Sequence, residues 1–319
     1  MSVFEALDDD LDEIRVRCSS NDTGIRRVAM MDLAELVEPE AAELLLAGLR
    51  DPAAEVRAAA AKALDEHDGP DVVRALIEAL EDADGPVRDA AAETLADKKE
   101  KSCGPLLIER ARDGSPFVQA AAFRALRELT LPEALDVAVA SLKSPQASVR
   151  REAIGVIGYL KADSALADMM ALAEDPVPDV RLAAMAALVF IQPGSPGAAT
   201  LMKGLSDEHW QVREQAAVSI AKVRLAEATD LLIVAMDDEV WQVRVKAAYA
   251  LGRIKDPRAI PALGPSLSSD IPNLRKEVAA AFGEMADPAA LPWLEQARHD
   301  LDPDVRKLII WAIGCCRLE

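Results

Sequence analysis

Histidine, cysteine and aromatic residues are scarce in this chain, and cations are outnumbered. Among 319 residues there are three histidines, four cysteines, four tryptophans, two tyrosines and five phenylalanines. His67, His209 and His299 fall in widely separated stretches, so no two are spaced to share a metal ion. No Gly-rich phosphate loop, Cys-x-x-Cys pair or nucleophile elbow is present. Cys18, Cys103, Cys315 and Cys316 show no paired spacing, and reduced thiols in a cytoplasmic protein are expected. Aromatics at 3% argue against a β-sandwich or a large aromatic pocket. No apolar run is long enough to span a bilayer, and Met1 to Asp10 is acidic, without the apolar core of a secretory signal. Asp plus Glu number 55 against 36 Lys plus Arg, a net charge of −19. Such a field repels phosphate backbones and anionic lipid heads. Neither nucleic acid nor membrane is an expected partner, and no cofactor, metal or catalytic residue is expected.

What the chain has instead is rhythm. A Val-Arg dipeptide, or a close copy, begins at Ile25, Val56, Val87, Val118, Val149, Val180, Val212, Val243, Leu274 and Val305. Successive anchors lie 31 residues apart, except for the 32 between Val180 and Val212. Val118-Gln119 is the one imperfect copy. Ten anchors at a fixed period predict ten similar units over residues 1–319, each touching its neighbours along one continuous core. Each unit reads as a short first helix after a break, then a longer second helix that opens one or two residues before the anchor. Pro86, Pro116, Pro178, Pro272 and Pro303 sit where a first helical turn does not need its N–H. Asp84, Ser115 and Asp302 sit where an N-cap oxygen is wanted.

Three columns follow the anchors. Five residues before them stand Ser20, Asp51, Asp82, Asp113, Ser144, Asp175, Asp207, Asp238, Ser269 and Asp300, all able to bond turn amides. The arginine after each anchor faces the positive end of a helix dipole and needs a carboxylate partner. A ladder of Arg–Asp bonds along the turns is therefore predicted. Four and eight residues past the anchors, small residues (Ala29, Ala60, Ala91 and their copies) and large ones (Leu33, Leu64, Leu95 and theirs) form the expected core.

Tyr249-Ala250-Leu251-Gly252-Arg253-Ile254-Lys255-Asp256-Pro257-Arg258-Ala259-Ile260-Pro261-Ala262-Leu263 resembles a HEAT repeat of the short bacterial type, named for phycobilisome lyases. The resemblance covers nearly the whole chain. It implies an all-α fold, an α-solenoid forming a right-handed superhelix of about ten helix pairs, with second helices lining the concave side. Members mostly bind proteins; bilin lyases, a deoxyhypusine hydroxylase and a DNA glycosylase group are enzymes. The hydroxylase binds iron through His-Glu pairs early in second helices. At the matching positions only Glu152 and Glu277 remain, and no His, which counts against a di-iron site.

Function then rests on the concave columns. Early repeats place charge there, including Arg27, Lys62, Asp89, Glu93, Arg124 and Arg127. From the fifth repeat onward these columns carry Tyr159, Leu182, Phe190, Val218, Val245, Tyr249 and Trp311. Trp210 and Trp241 occupy the same turn position in adjacent repeats. Aromatics on a turn ridge beside an apolar strip match the make-up of an interaction hot spot. The expected function is a non-enzymatic scaffold or assembly factor that grips a protein or peptide segment in its concave groove through Trp210, Trp241, Tyr249, Tyr159, Leu182, Phe190, Val218 and Val245. A bilin-lyase-type subunit is the alternative implied by the resemblance, and base repair in a solenoid groove comes third, opposed by the acidity.

Overall fold

A computed structural model describes residues 3–36 and 38–317, with side chains described from residue 11. The chain forms two compact units, residues 1–160 and 161–319, each built from five helix pairs and, among the described residues, no strand. The first unit runs α1 (Val3–Cys18), α2 (Thr23–Leu33), α3 (Pro39–Gly48), α4 (Ala54–Ala63), α5 (Pro70–Ala79), α6 (Gly85–Asp97), α7 (Gly104–Asp113), α8 (Pro116–Leu129), α9 (Leu135–Ser141) and α10 (Ala147–Leu160). The second runs α11 (Leu166–Ala171), α12 (Pro178–Ala187), α13 (Pro196–Gly204), α14 (Trp210–Val223), α15 (Thr229–Ala235), α16 (Trp241–Ile254), α17 (Ile260–Leu263), α18 (Pro272–Met285), α19 (Leu291–Gln296) and α20 (Pro303–Arg317). Even-numbered second helices pack on one another in sequence, as α8 on α10 in the first unit and α14 on α16 in the second. Each unit is thus a stretch of α-solenoid, and the ten pairs match the ten anchors.

Local chemistry sets the boundaries. Proline opens α8, α12, α18 and α20, where no N–H partner is required. Ser115 accepts from the Val118 amide, and Asp302 from those of Asp304 and Val305. Asp84 does not cap α6 with its side chain; the carboxylate turns to Arg57 Nη2 at 2.8 Å. Several first helices begin as a 3-10 turn (Pro132–Ala134, Ala226–Ala228, Pro257–Ala259, Pro288–Ala290), so their α-helical parts are shorter than the pattern predicts. Thr130, Lys161, Arg224, Lys255 and Ala286 take φ between 49° and 63°, and all stand twelve residues past an anchor. They are the left-handed residues that end second helices. Three other repeats end differently: the second carries its positive φ at Gly69 (125°), the third ends extended at Lys98 (φ −75°), and the sixth is where the 32-residue step falls. There α12 stops at Ala187, a turn follows, and Gly194 carries the positive φ (73°).

The core columns are buried throughout. All ten residues four past the anchors are 0% exposed, and none of those eight past exceeds 7%. Nine anchors are at most 2% exposed, but Ile25 is 44% exposed. The residue five past each anchor is buried from Met30 through Ala279, yet Ile310 is 59% exposed. The two exceptions define a direction. Ile25 lies on α2, which has no second helix before it among the described residues. Ile310 lies on α20, which has none after it among the described residues. The anchor column therefore packs toward the preceding second helix and the fifth residue toward the following one.

The predicted ladder exists, with its rungs joining repeats rather than closing within one. Arg26 donates Nε and Nη2 to Asp51 (2.7 and 2.9 Å) while Nη1 donates to the Ser20 carbonyl of its own turn. Arg57–Asp82, Arg181–Asp207, Arg213–Asp238 and Arg275–Asp300 repeat this bidentate geometry. Each of these aspartates also accepts the backbone N–H two residues on, such as Ala53 to Asp51. The guanidinium thus satisfies two turns at once, which offsets its unfavourable place in a first helical turn. Three positions break the pattern. At one, Gln119 replaces the arginine and donates to the Arg112 carbonyl at 2.9 Å. Asp113 is taken into the last turn of α7 and exposed, and Arg88 lies over the Phe117 ring, 5.9 Å from its centroid. Arg244 meets Ser269 in the next repeat and keeps only its own turn carbonyls, Asp238 and Glu239, at 2.6 and 3.3 Å.

Candidate partner-binding face

Seven of the eight residues expected to bind a partner lie in the second unit, and Tyr159 lies in the first. Trp210 and Trp241 are the first residues of α14 and α16. Trp241, Val245 and Tyr249 follow at spacing four, which on an α-helix makes a single stripe. Trp241 and Tyr249 are 37% and 36% exposed, with Val245 half-buried between them. On α14, packed beside α16, Trp210 and Val218 are half-buried along the same line. Leu182, half-buried near the start of α12, extends the surface to a third second helix, since α12 packs on α14. Phe190 departs from the expected helical column: α12 has ended by then, and Phe190 sits half-buried on the following turn. The inserted residue that gives the 32-residue step explains why.

Charge borders the stripe. Lys246 on α16 lies near Glu277 of α18, whose carboxyl is pushed up by burial and pulled back by that cation. Gln215 on α14 donates to Ser219, whose hydroxyl donates to the Met185 carbonyl of α12, pinning two of the three helices. A recess of about 580 Å³ between the ninth and tenth pairs is lined by Gly264, Trp293, Arg275, His299, Asp300 and Leu301, and none of the eight residues borders it. Tyr159, 51% exposed, stacks beneath Arg127, whose guanidinium carbon is 5.5 Å from the ring centroid.

Sequence reasoning missed other exposed apolar groups. Ile310, beside the anticipated Trp311, is more exposed than either tryptophan of the stripe. In the first unit Ile25, Val28 and Met31 are exposed along α2, and Met31 borders a groove of about 550 Å³ lined also by Ala34, Ala58, Ala59 and Ala63. The spacing of three in Ile25, Val28 and Met31 was the available signal. His209 and His299 are exposed, whereas His67 is 6% exposed at the end of a 3-10 turn after α4. No group of three or more His, Cys, Asp or Glu suited to a metal occurs among the described residues, and no described helix is long and apolar enough to cross a membrane.

The profile of HEAT repeats matches this chain five times in overlapping stretches, residues 11–96, 73–154, 137–205, 198–270 and 230–314. Among solved structures, an engineered protein shares 22% identity over 97% of this chain and 99% of its own, with a TM-score of 0.51. YibA of Escherichia coli shares 22% over 94% and 98%, with a TM-score of 0.56. Yeast importin-β (Kap95p) shares 17% over 98% of this chain but 51% of its own, with a TM-score of 0.62. At these identities the likeness is one of fold. No curated protein matches the sequence.

Proposed function

Because the chain belongs to the HEAT-repeat family, we propose that it is a non-enzymatic interaction scaffold that holds a protein or peptide segment against its second helices, the concave face of such a solenoid. The observation that carries this reading is the stripe Trp241–Val245–Tyr249 beside Trp210 and Val218. A chain with only four tryptophans and two tyrosines leaves three of these six rings on neighbouring helices open or half-open to water. Large aromatics are the side chains that contribute most per residue at protein interfaces. Kap95p, a similar fold, binds RanGDP, which is consistent with protein binding by a stack of this kind. Four unbridged cysteines suit a reducing cytoplasm.

The test is affinity capture from native extract with the wild-type chain and with Trp210→Ala/Trp241→Ala, alongside thermal melts of both. Loss of the captured protein with a melting point lowered by no more than about 3 °C is expected, because both rings are surface groups. Retention of the partner together with a large fall in melting point would reject the aromatic face as the binding element. Pigment bound after co-expression with a bilin source would instead favour a lyase-type role.

A further inference from the structure

The first unit holds a knot of charge that the aromatic stripe does not involve. Glu152 on α10 is buried, its side chain 7% exposed. One of its oxygens accepts from Arg151 Nη2 and Nε at 2.7 and 3.1 Å and from Arg124 Nη2 at 3.3 Å. Arg127 Nη1 lies 3.9 Å from the other oxygen, and Arg127 Nε donates to Glu128 at 3.4 Å. Three guanidiniums thus face two carboxylates, a local excess of +1 in a chain whose net charge is −19. One arginine suffices to compensate a buried carboxylate; the other two exceed what the interior requires. All three stay open to solvent, with 33–40% of each side chain exposed. A guanidinium has five N–H donors in a planar fork, and Glu152 and Glu128 occupy few of the fifteen. The side chains are also held in place. Tyr159 backs Arg127, its ring centroid 5.5 Å from the guanidinium carbon.

We infer that Arg124, Arg127 and Arg151, with Tyr159 beside them, form a docking site for a carboxylate-rich segment of a protein partner. Arginines fixed by a buried acid offer their free donors at low entropic cost, and the planar fork matches carboxylate geometry. The exposed Asp89 and Glu93 on α6 repel such a segment, so it lies across α8 and α10. The inference rests on the reading of the chain as protein-binding and shares only Tyr159 with the eight residues expected to grip a partner.

The experiment titrates the full chain into fluorescein-labelled octaglutamate and follows anisotropy, with a Gly-Ser peptide of equal length as the neutral control. Octaglutamate binds and the neutral peptide does not. Arg124→Gln/Arg151→Gln weakens binding about tenfold, as loss of two partly exposed charge pairs implies, while Arg74→Gln on α5 leaves it unchanged. Arg124→Lys/Arg151→Lys keeps the charge and the fold and retains part of the affinity. Failure of octaglutamate to bind the wild type, or equal binding by the Gln double variant with an unaltered melt, overturns the inference. A captured protein lost on changing Trp210 and Trp241 but held at full strength by the arginine variant removes this site while leaving the scaffold reading in place.

Discussion

Replacing Ser269 by Asp should complete the rung that Arg244 lacks. In the five rungs described above, the arginine and aspartate side chains are 8–14% exposed and the two N–O distances fall between 2.7 and 2.9 Å. At Arg244 only the contacts to its own turn carbonyls are made, and Ser269 Oγ already accepts the Ile271 N–H that an aspartate would take over. The new carboxylate therefore gains two charge-assisted bonds, each contributing about 1.5–3 kcal/mol before desolvation. Desolvating it costs several kcal/mol, and Asp270 next door adds repulsion. The guanidinium is already in place, so its own cost is not incurred again. The net gain is about 1 kcal/mol, or about 1–2 °C in melting point for a protein of 319 residues. Thermal melts at pH 7 and pH 3 test it. An aspartate paired in this way has a folded-state pKa below its unfolded one, so its contribution is present above the unfolded value and absent once the group is protonated in both states. Ser269→Asp should melt higher at pH 7 and show little of that gain at pH 3. In an Arg244→Gln background the same change should destabilise, because it buries an unpaired carboxylate. A melting point at pH 7 equal to or below wild type, or an equal gain without Arg244, would refute the account of the ladder.

Two other outcomes follow from the same geometry. Ala286, exposed and at φ 53° past the end of α18, bears a left-handed strain of about 1–2 kcal/mol that glycine removes, against about 0.5–1 kcal/mol of extra chain entropy. Ala286→Gly should raise the melting point by up to about 2 °C, and a fall would show that the strain is relieved elsewhere. The carboxyls of Asp51, Asp82 and Asp300 are held below the usual range chiefly by their arginine bonds; for Asp207 and Asp238 burial pushes up, but the arginine and amide bonds together prevail. Lowered values mean stability fully present above the unfolded value of 3.8 and lost as pH falls through the folded values. Urea midpoints should therefore hold from neutral pH down to about pH 4 and drop steeply below it; a decline already complete at pH 6, or none at pH 2, would contradict the ladder's role.

How much of this was legible in the sequence depends on whether a feature lives within one repeat or between two. The helix pairs, the four-past and eight-past columns and the need of each arginine for an aspartate are properties of a single 31-residue unit, and the pattern gives them directly. The layer from which the aspartate comes is not. Arg26 and Asp51 are 25 residues apart, and only packing decides that the rung closes forward. The Trp241–Val245–Tyr249 stripe was readable because spacing four keeps side chains on one helix face. The Glu152 knot was not, because Arg124 and Arg151 meet it from different columns of neighbouring helices. Phe190 was misplaced although the sequence held the warning: the extra residue between Val180 and Val212 had to be absorbed somewhere, and the Pro193-Gly194 pair marks where. Ile25 and Ile310 carry the argument furthest. Each has an apolar side chain in a column that is buried in every other repeat, yet each is open to water because the helix it should meet is missing on that side among the described residues. Core and surface in a stacked fold are therefore properties of a column and its neighbour together, and the same letter in the same register changes role when the neighbour is absent.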